Sequence, residues 1–451
     1  MSRTLTPFPY EKVLVLGLAK SGTATANLLL KNGIHTIVND FKTEETDPVV
    51  VELRAKGAEV IVGSHPLSVL ENIDLIVKNP GIPYENVLIK EAIKRDIPII
   101  TEVELAGRLA APNPIIGVTG SNGKTTTTTL IDAMLTASNK KVKLAGNIGF
   151  VASEMAETLD EEEPLLLELS SFQLMGIDTF KPHIAVMLNL FEAHLDYHGD
   201  VLSYERAKFN MVKNQTENDY FIYNADDARV VSYINNMKAI CIPFSVNKVV
   251  ENGAYVKDEA LYFKQEKIID IEEIVLVGSH NISNILAAIV ASKLSGATNE
   301  GIIQTLTTFS GVEHRLQFVG KIQDRLFYND SKATNKLATE MALQSFQRPT
   351  ILLAGGLDRG DDYDDLIPFL ANVKGVVLFG ETKLKLKEMA EKANIEHIAI
   401  VENVKEAVPV AFSMSNEKDV ILLSPACASW DQYKTFEERG NMFVQAVHTL
   451  A

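Results

Sequence analysis

Gly120-Ser121-Asn122-Gly123-Lys124-Thr125-Thr126 follows the apolar run Ile115-Ile116-Gly117-Val118-Thr119 and precedes a segment in which Leu130, Met134 and Leu135 recur at helical spacing. The run reads as a buried strand, and residues 127–138 as a helix. Strand, glycine-containing loop, Lys-Thr and helix form the layout of a phosphate cradle. The glycines let backbone N–H groups turn toward an anion, the helix N-terminus adds partial positive charge, and Lys124 adds a full one. The Thr125 hydroxyl is placed to reach a magnesium ion. ATP or GTP is the expected ligand of Gly120, Ser121, Asn122, Gly123, Lys124, Thr125 and Thr126. The strict phosphate-loop pattern asks for glycine at position 118, where this chain has Val118.

The chain has 451 residues, 46% hydrophobic and 23% charged, a length that suits two to four domains of a globular protein. No N-terminal signal pattern and no apolar run of membrane-spanning length is present. Cys241 and Cys427 lie far apart, which suits a reducing, cytoplasmic location better than a disulfide framework. The formal net charge of −16 argues against sequence-independent binding to nucleic acid or anionic membrane. A monomer is expected.

Three α/β segments follow one another, and the expected boundaries are 1–101, 102–312 and 313–451. The first is Rossmann-like: strands at 12–16 and 34–38 flank the turn Gly17-Leu18-Ala19-Lys20-Ser21-Gly22 and a helix at 23–32, and Asp40 follows the second strand. Ala19 stands where a dinucleotide site places its second glycine. A nicotinamide dinucleotide, a nucleotide-sugar diphosphate and a purely structural turn are all compatible with it. A further strand at 73–77 leads into Lys78-Asn79-Pro80-Gly81-Ile82-Pro83, a rigid loop where open α/β sheets place ligands. The second segment is the ATPase-like centre, with a helix at 103–110 and strands at 115–119, 165–167 and 184–188. The third is again Rossmann-like, with strands at 350–353, 375–379 and 420–423 and a closing helix at 436–449. The alternation of strands and helices in this third segment suggests a parallel sheet.

Glu168, just past a strand, is placed to hold the magnesium together with Thr125; a surface glutamate is the plainer alternative. His194, Asp196 and His198 form a short cluster near that site, but zinc would want a closed set of nitrogen and sulfur ligands and no cysteine is near. Asn281 and Asn284 open a helix and suit either a helix cap or a purine and ribose.

Taken together, the phosphate loop, Glu168-Leu169-Ser170-Ser171-Phe172-Gln173-Leu174, His280-Asn281 with Asn284, and His314-Arg315 resemble the Mur ligases, the ATP-dependent amino-acid ligases of peptidoglycan synthesis. That family's loop lacks the outer glycine, in keeping with Val118. Asn329-Asp330-Ser331-Lys332-Ala333-Thr334-Asn335 and Ser424-Pro425-Ala426-Cys427-Ala428-Ser429-Trp430-Asp431 resemble the branch whose small-molecule substrates are UDP-N-acetylmuramoyl-L-alanine and D-glutamate. The resemblance covers essentially the whole chain.

The resemblance implies that Ala19, Lys20, Ser21, Asp40, Asn79 and Gly81 face the UDP portion, with Asn147 and His194 near the muramoyl portion. It implies Mg-ATP on Lys124, Thr125, Glu168 and Asn281, with Arg315 and Asp330 reaching the nucleotide from the third domain. Lys332, Thr334, Arg359, Ser424 and Trp430 would hold D-glutamate. Lys208, by spacing alone an exposed helical lysine, matches a lysine that is carbamylated in the family and shares a second magnesium with His194. Lys124, His194 and Lys208 would be the catalytic groups. Two positions depart from relatives: Trp430 stands where phenylalanine occurs, and Arg359 where lysine occurs. An arginine there can grip a carboxylate bidentately or face solvent. The alternatives are another Mur-type or folylpolyglutamate-type ligase, disfavoured by the 424–431 stretch, and a nicotinamide dehydrogenase.

Overall fold

A computed structural model describes residues 3–450. The first sheet holds β1 (Lys12–Leu16), β2 (His35–Asp40), β3 (Glu59–Val62), β4 (Leu75–Lys78) and β5 (Ile99–Ile100). All neighbours are parallel, in the order β3-β2-β1-β4-β5. The strands are nearly continuous apolar runs because helices cover both faces. The order reverses beside β1, so the crevice between the C-terminal ends of β1 and β4 is where such a sheet takes a ligand. Gly17 and Asn79 stand at those two ends.

The second sheet holds β6 (Ile115–Thr119), β7 (Lys143–Gly146), β8 (Leu165–Glu168), β9 (Ile184–Met187), β10 (Tyr220–Asn224), β11 (Ile240–Ser245), β12 (Ala254–Lys257), β13 (Ala260–Phe263) and β14 (Glu266–Asp270). Its order is β14-β13-β12-β11-β10-β9-β6-β8-β7. It is parallel from β7 to β12, but β12, β13 and β14 are antiparallel. The direction of travel reverses between β6 and β9, and the loops after these strands carry Gly120 and Asn189.

The third sheet holds β15 (Gln317–Ile322), β16 (Arg325–Asn329), β17 (Thr350–Gly355), β18 (Val373–Phe379), β19 (His397–Ile400) and β20 (Val420–Leu423), in the order β15-β16-β20-β17-β18-β19. Among the described residues only the β15–β16 pair of this sheet is antiparallel. Asp330, Gly356 and Ser424 directly follow β16, β17 and β20.

The three sheets fall into two compact units, residues 1–270 with 283–305, and residues 271–282 with 306–451. The first unit contains two sheets because one apolar core runs through both. Val13, Val15 and Val38 of the first sheet and Leu165, Leu167 and Met187 of the second belong to a single buried cluster. Val103, Leu105, Ala106 and Leu109 of the helix Glu102–Ala110 join that cluster. The second unit packs its own sheet between two clusters, one around Leu352, Val376 and Leu422 and one around Leu353, Val377 and Leu423. Alternate residues of one strand thus feed opposite faces.

Candidate active site

The phosphate loop is built by two strands. β6 ends at Thr119, and the helix Lys124–Ala137 begins three residues earlier than its apolar spacing suggested. Gly120 and Gly123 hold φ of 157° and 83°, conformations open to glycine. A Cβ on Gly123 would strike the Asn284 amide, so this residue of the expected pair lies against the loop. The N-cap residue, Gly123, has no side chain with which to cap the helix, and the N-terminus of a helix favours an anion. Asn189, after β9, shapes the loop from beside it: its carbonyl accepts from Ser121 N at 3.0 Å and its Oδ1 from Asn122 N at 2.9 Å. Asn189 opens the polar cluster that follows this apolar strand in the sequence, but it was not among the expected site residues. The Lys124 ammonium donates to the carbonyls of Gly120 at 2.8 Å and Ser121 at 2.9 Å.

Val118 is fully buried and pairs in register with Glu168. β6 therefore runs as regular strand through the place of the missing glycine. Glu168 is the last residue of β8 and only 2% exposed, which removes the reading as a surface glutamate. Asn147 Nδ2 donates to its Oε1 at 2.8 Å, while Oε2 is buried with no hydrogen-bond partner among the described residues. An orphaned carboxylate oxygen beside a phosphate loop fits a cation. Asn147, expected at the substrate, thus also orients Glu168.

Lys208 overturns its plain reading as an exposed lysine: it is 2% exposed in the helix Val201–Phe209. Its Nζ donates to Gly120 O at 2.9 Å and Thr119 Oγ1 at 3.4 Å and lies 4.9 Å from the Tyr204 ring centroid. Burial, and then the nearby charge of Lys124, push its pKa well below the usual lysine range, while Glu168 opposes the shift. His194 holds a left-handed backbone, φ 55°, at the start of the helix Leu195–His198, with its ring 5.0 Å from Phe172. His198 Nε2 lies 2.9 Å from Ser171 Oγ, and its ring stacks on Phe172. Among the described residues no three His, Cys, Asp or Glu side chains converge as a metal site.

In the first sheet the helix begins at Lys20, not residue 23, with Ala19 as its N-cap. Gly22 permits this, because a Cβ there would strike the Gly17 carbonyl. A cleft of about 460 Å³ is lined by Gly17, Ala19, Asp40, Asn79 and Gly81, together with Phe41 and His65, which sequence reading missed. The exposed Phe41 ring, 5.5 Å from that of His65, is a surface on which a base can stack. Asp40 is committed to the fold: it accepts from Leu18 N, Lys42 N and Thr43 N, each at 2.8 Å. Partial burial would raise its pKa, but these N–H donors outweigh it and hold the carboxyl below its ordinary value. A second cleft, about 520 Å³, joins Ala19, Lys20, Ser21, Asn79 and Gly81 to Asn147 and Phe172 of the second sheet.

The second unit carries the remaining candidates. Asn281 is buried, and its Nδ2 donates to Val277 O at 2.6 Å. Arg315 is exposed beside buried Asp330. Asp330 Oδ1 accepts from Leu316 N at 3.1 Å and Oδ2 from Ser424 Oγ at 2.9 Å. The residues expected on two different ligands are thus bonded to each other. Burial raises the Asp330 pKa to about 7 against the pull of these donors and of Arg315. Lys332 is exposed, 5.5 Å from the Phe436 ring centroid, and Thr334 is half-buried. Arg359 and Trp430 face each other at the surface, guanidinium carbon to ring centroid 5.1 Å. Ala426, in the same loop as Ser424, holds φ 59°, backbone strain of the kind found at ligand sites.

Arg439 went unnoticed in the sequence, where nothing marks it. It is fully buried in the helix Phe436–His448 and donates to Ser331 O and Oγ, Gly355 O and Cys427 O at 2.9 to 3.3 Å. One guanidinium thereby gathers the loops that carry Lys332, Arg359 and Ser424. Burial lowers its pKa to about 10.

A phosphate loop with an orphaned carboxylate and a buried low-pKa lysine, on this succession of three sheets, defines an ATP-dependent ligase of α/β type. Residues 11–101 match the Mur ligase MurD-like N-terminal domain, 118–292 the Mur ligase middle domain and 314–427 the Mur ligase glutamate ligase domain. The chain belongs to the Mur ligase family. It is 59% identical over 446 residues to the UDP-N-acetylmuramoylalanine–D-glutamate ligase of Oceanobacillus iheyensis, covering 99% of each chain. It is 56% identical over 449 residues to the enzyme of that name from Bacillus thuringiensis, covering 99% of this chain and 100% of the other. Its fold is shared with the UDP-N-acetylmuramate-alanine ligase of Thermotoga maritima, at TM-score 0.57 and 19% identity over 98% of this chain and 100% of that one. A UDP-N-acetylmuramoyl-L-alanyl-D-glutamate–2,6-diaminopimelate ligase superposes at TM-score 0.60 and 17% identity, over 99% and 94%. The dehydrogenase alternative falls with this membership, and the first sheet is the ligase's own N-terminal domain.

Proposed function

We propose that this chain joins D-glutamate to UDP-N-acetylmuramoyl-L-alanine, hydrolysing ATP to ADP and phosphate, as a step in peptidoglycan precursor synthesis. Its whole-length likeness to D-glutamate ligases carries the reading. In this reading residues 1–101 hold the sugar nucleotide, 102–312 hold ATP and 313–451 hold D-glutamate.

A carboxylate is a poor electrophile, so an amide requires activation. The L-alanyl carboxylate attacks the γ-phosphate, giving an acyl phosphate and ADP. The D-glutamate amine then adds to the acyl carbon, loses a proton and expels phosphate. Lys124 offsets charge on the transferring phosphoryl group, and the first turn of its helix receives phosphate oxygens. Magnesium, when bound, supplies charge neutralisation on the phosphates; Thr125, Glu168, His194 and Lys208 are the residues to hold it, and the unpartnered Glu168 Oε2 fits that role. Lys208 suits the task as a carbamate: burial favours its neutral amine, which can add CO₂ and release a proton, leaving anionic oxygens instead of a repelling ammonium. Arg359 and Trp430 present a cation and an aromatic wall for the D-glutamate side chain, while Lys332, Thr334 and Ser424 complete the pocket. The chain works in the cytoplasm as a monomer.

The test is release of ADP and phosphate with UDP-N-acetylmuramoyl-L-alanine against a panel of D- and L-amino acids. Turnover with D-glutamate alone is expected; turnover with another amino acid and none with D-glutamate refutes the reading.

A further inference from the structure

Lys78 is the last residue of β4 and only 1% exposed, yet among the described residues it pairs with no carboxylate. Its Nζ donates to Ile82 O at 2.8 Å, Pro80 O at 3.2 Å and Asn79 O at 3.3 Å, and lies 3.2 Å from Tyr197 OH. The Tyr84 ring centroid is 5.0 Å away. An ammonium has three protons, and these acceptors consume them, so Lys78 has none left for a phosphate. Burying a cation without a counter-charge is costly, and a fold retains one only where its donors are needed. The need is visible in the loop that follows. Within the loop Ile82 N donates to Asn79 O at 3.0 Å, but Pro80 and Pro83 supply no N–H, and the Pro80 and Ile82 carbonyls turn to Lys78.

The other face of that loop lines the two clefts described above through Asn79 and Gly81. Asn79 Nδ2 donates to Ser21 Oγ at 3.1 Å, and its Oδ1 accepts from Gly81 N at 3.1 Å. On the near face, the Tyr197 hydroxyl lies 3.0 Å from Pro80 O and 2.9 Å from Ile82 O. Tyr197 belongs to the four-residue helix that starts after His194, and Phe172 contacts both rings.

We propose that Lys78 is a positioning residue that sets the 79–83 loop for the sugar nucleotide and, through Tyr197, ties that loop to the helix placing His194. The proposal rests on the ligase reading above. Lys78→Met keeps the aliphatic stem and removes the donors; Tyr197→Phe keeps the ring and removes the hydroxyl. In either variant the KM for UDP-N-acetylmuramoyl-L-alanine should rise about tenfold, with those for ATP and D-glutamate within about twofold, because hydrogen bonds to a buried charge are lost only at this loop. The double variant should depart from the product of the single effects, since both side chains donate to the same Pro80 and Ile82 carbonyls. A sugar-nucleotide KM within about twofold of wild type, equal rises for all three substrates, or effects that multiply to about a hundredfold would overturn it. Calorimetric binding of UDP alone separates the two claims. A protein that binds UDP but forms no amide refutes the ligase reading, while the UDP affinity of Lys78→Met against wild type still decides the role of Lys78.

Discussion

Asn147 Nδ2 donates to Glu168 Oε1 at 2.8 Å, and this bond decides which way the carboxylate faces, because Oε2 is left buried and unpartnered among the described residues. The amide belongs to the loop after β7 and the carboxylate to the end of β8, adjacent parallel strands. Orientation of a metal-binding carboxylate by a second residue is worth about 10–100-fold in metal affinity. Asn147→Ala should therefore raise the Mg²⁺ concentration for half-maximal ADP release by about that factor, and Glu168→Gln should remove most activity at any Mg²⁺ concentration. A Mg²⁺ titration of both variants checks this; an unchanged Mg²⁺ requirement in Asn147→Ala would assign that side chain to substrate alone.

The buried amine of Lys208 lies between the phosphate loop and the Tyr204 ring. Lys208→Ala should lose most activity, and high bicarbonate should not restore it. With ¹³C-bicarbonate, the wild-type protein should show a carbamate carbon resonance that is absent from Lys208→Ala. Wild-type turnover in the alanine variant would end the carbamate assignment.

Asp330 gives a pH dependence of defined sign. Its folded pKa, about 7, stands above the ordinary 3.8, so the folded state holds the proton more tightly than the unfolded chain. The stability it contributes is complete below the ordinary value, declines as pH rises toward 7 and is absent above it, with a slope of at most about 1.4 kcal/mol per pH unit. Urea melts of ligand-free wild type and Asp330→Asn at pH 4.5, 6 and 8 isolate this component. The difference between the two proteins should narrow or reverse from pH 4.5 to 7 and then stay level.

The Arg359–Trp430 contact is exposed, with Trp430 66% accessible, so the pair itself contributes only about 0.5–1 kcal/mol. Its value lies in ligand binding. Trp430→Ala should weaken D-glutamate by a few-fold, and Arg359→Ala by at least about tenfold, because a charge-assisted bond to carboxylate is lost. KM values for D-glutamate and ATP measured in parallel provide the check. Equal effects on both substrates would place Arg359 outside the amino-acid pocket.

What the sequence disclosed, and what it hid, follows from the range of each signal. The phosphate loop was legible because strand, glycines and Lys-Thr are contiguous. Lys208 was not, because a short helical stretch says nothing about which face is buried. Arg439 left no trace because most of its partners are carbonyls, of Ser331, Gly355 and Cys427, atoms every residue possesses. The antiparallel β12–β14 extension was missed because its first turn uses Asp258 and Glu259, both at positive φ, where an Asn-Gly or Asp-Gly pair would have announced a hairpin. The pairing of Asp330 with Ser424 spans 94 residues and arises only when β16 and β20 align side by side.

The in-register pairing of Val118 with Glu168 has a bearing on how the chain tolerates change in length. Side chains alternate along a strand, so one inserted residue within β8 would send the Glu168 carboxylate to the opposite face of the sheet. The β13–β14 turn sits at the far edge, with β9 through β13 between β14 and β6. A peptide tag spliced at Lys264-Gln265 would leave the register of β6 and β8 untouched. Inserted sequence is thus accommodated at that outer edge, while deletions or insertions near the centre of the sheet dismantle the site outright.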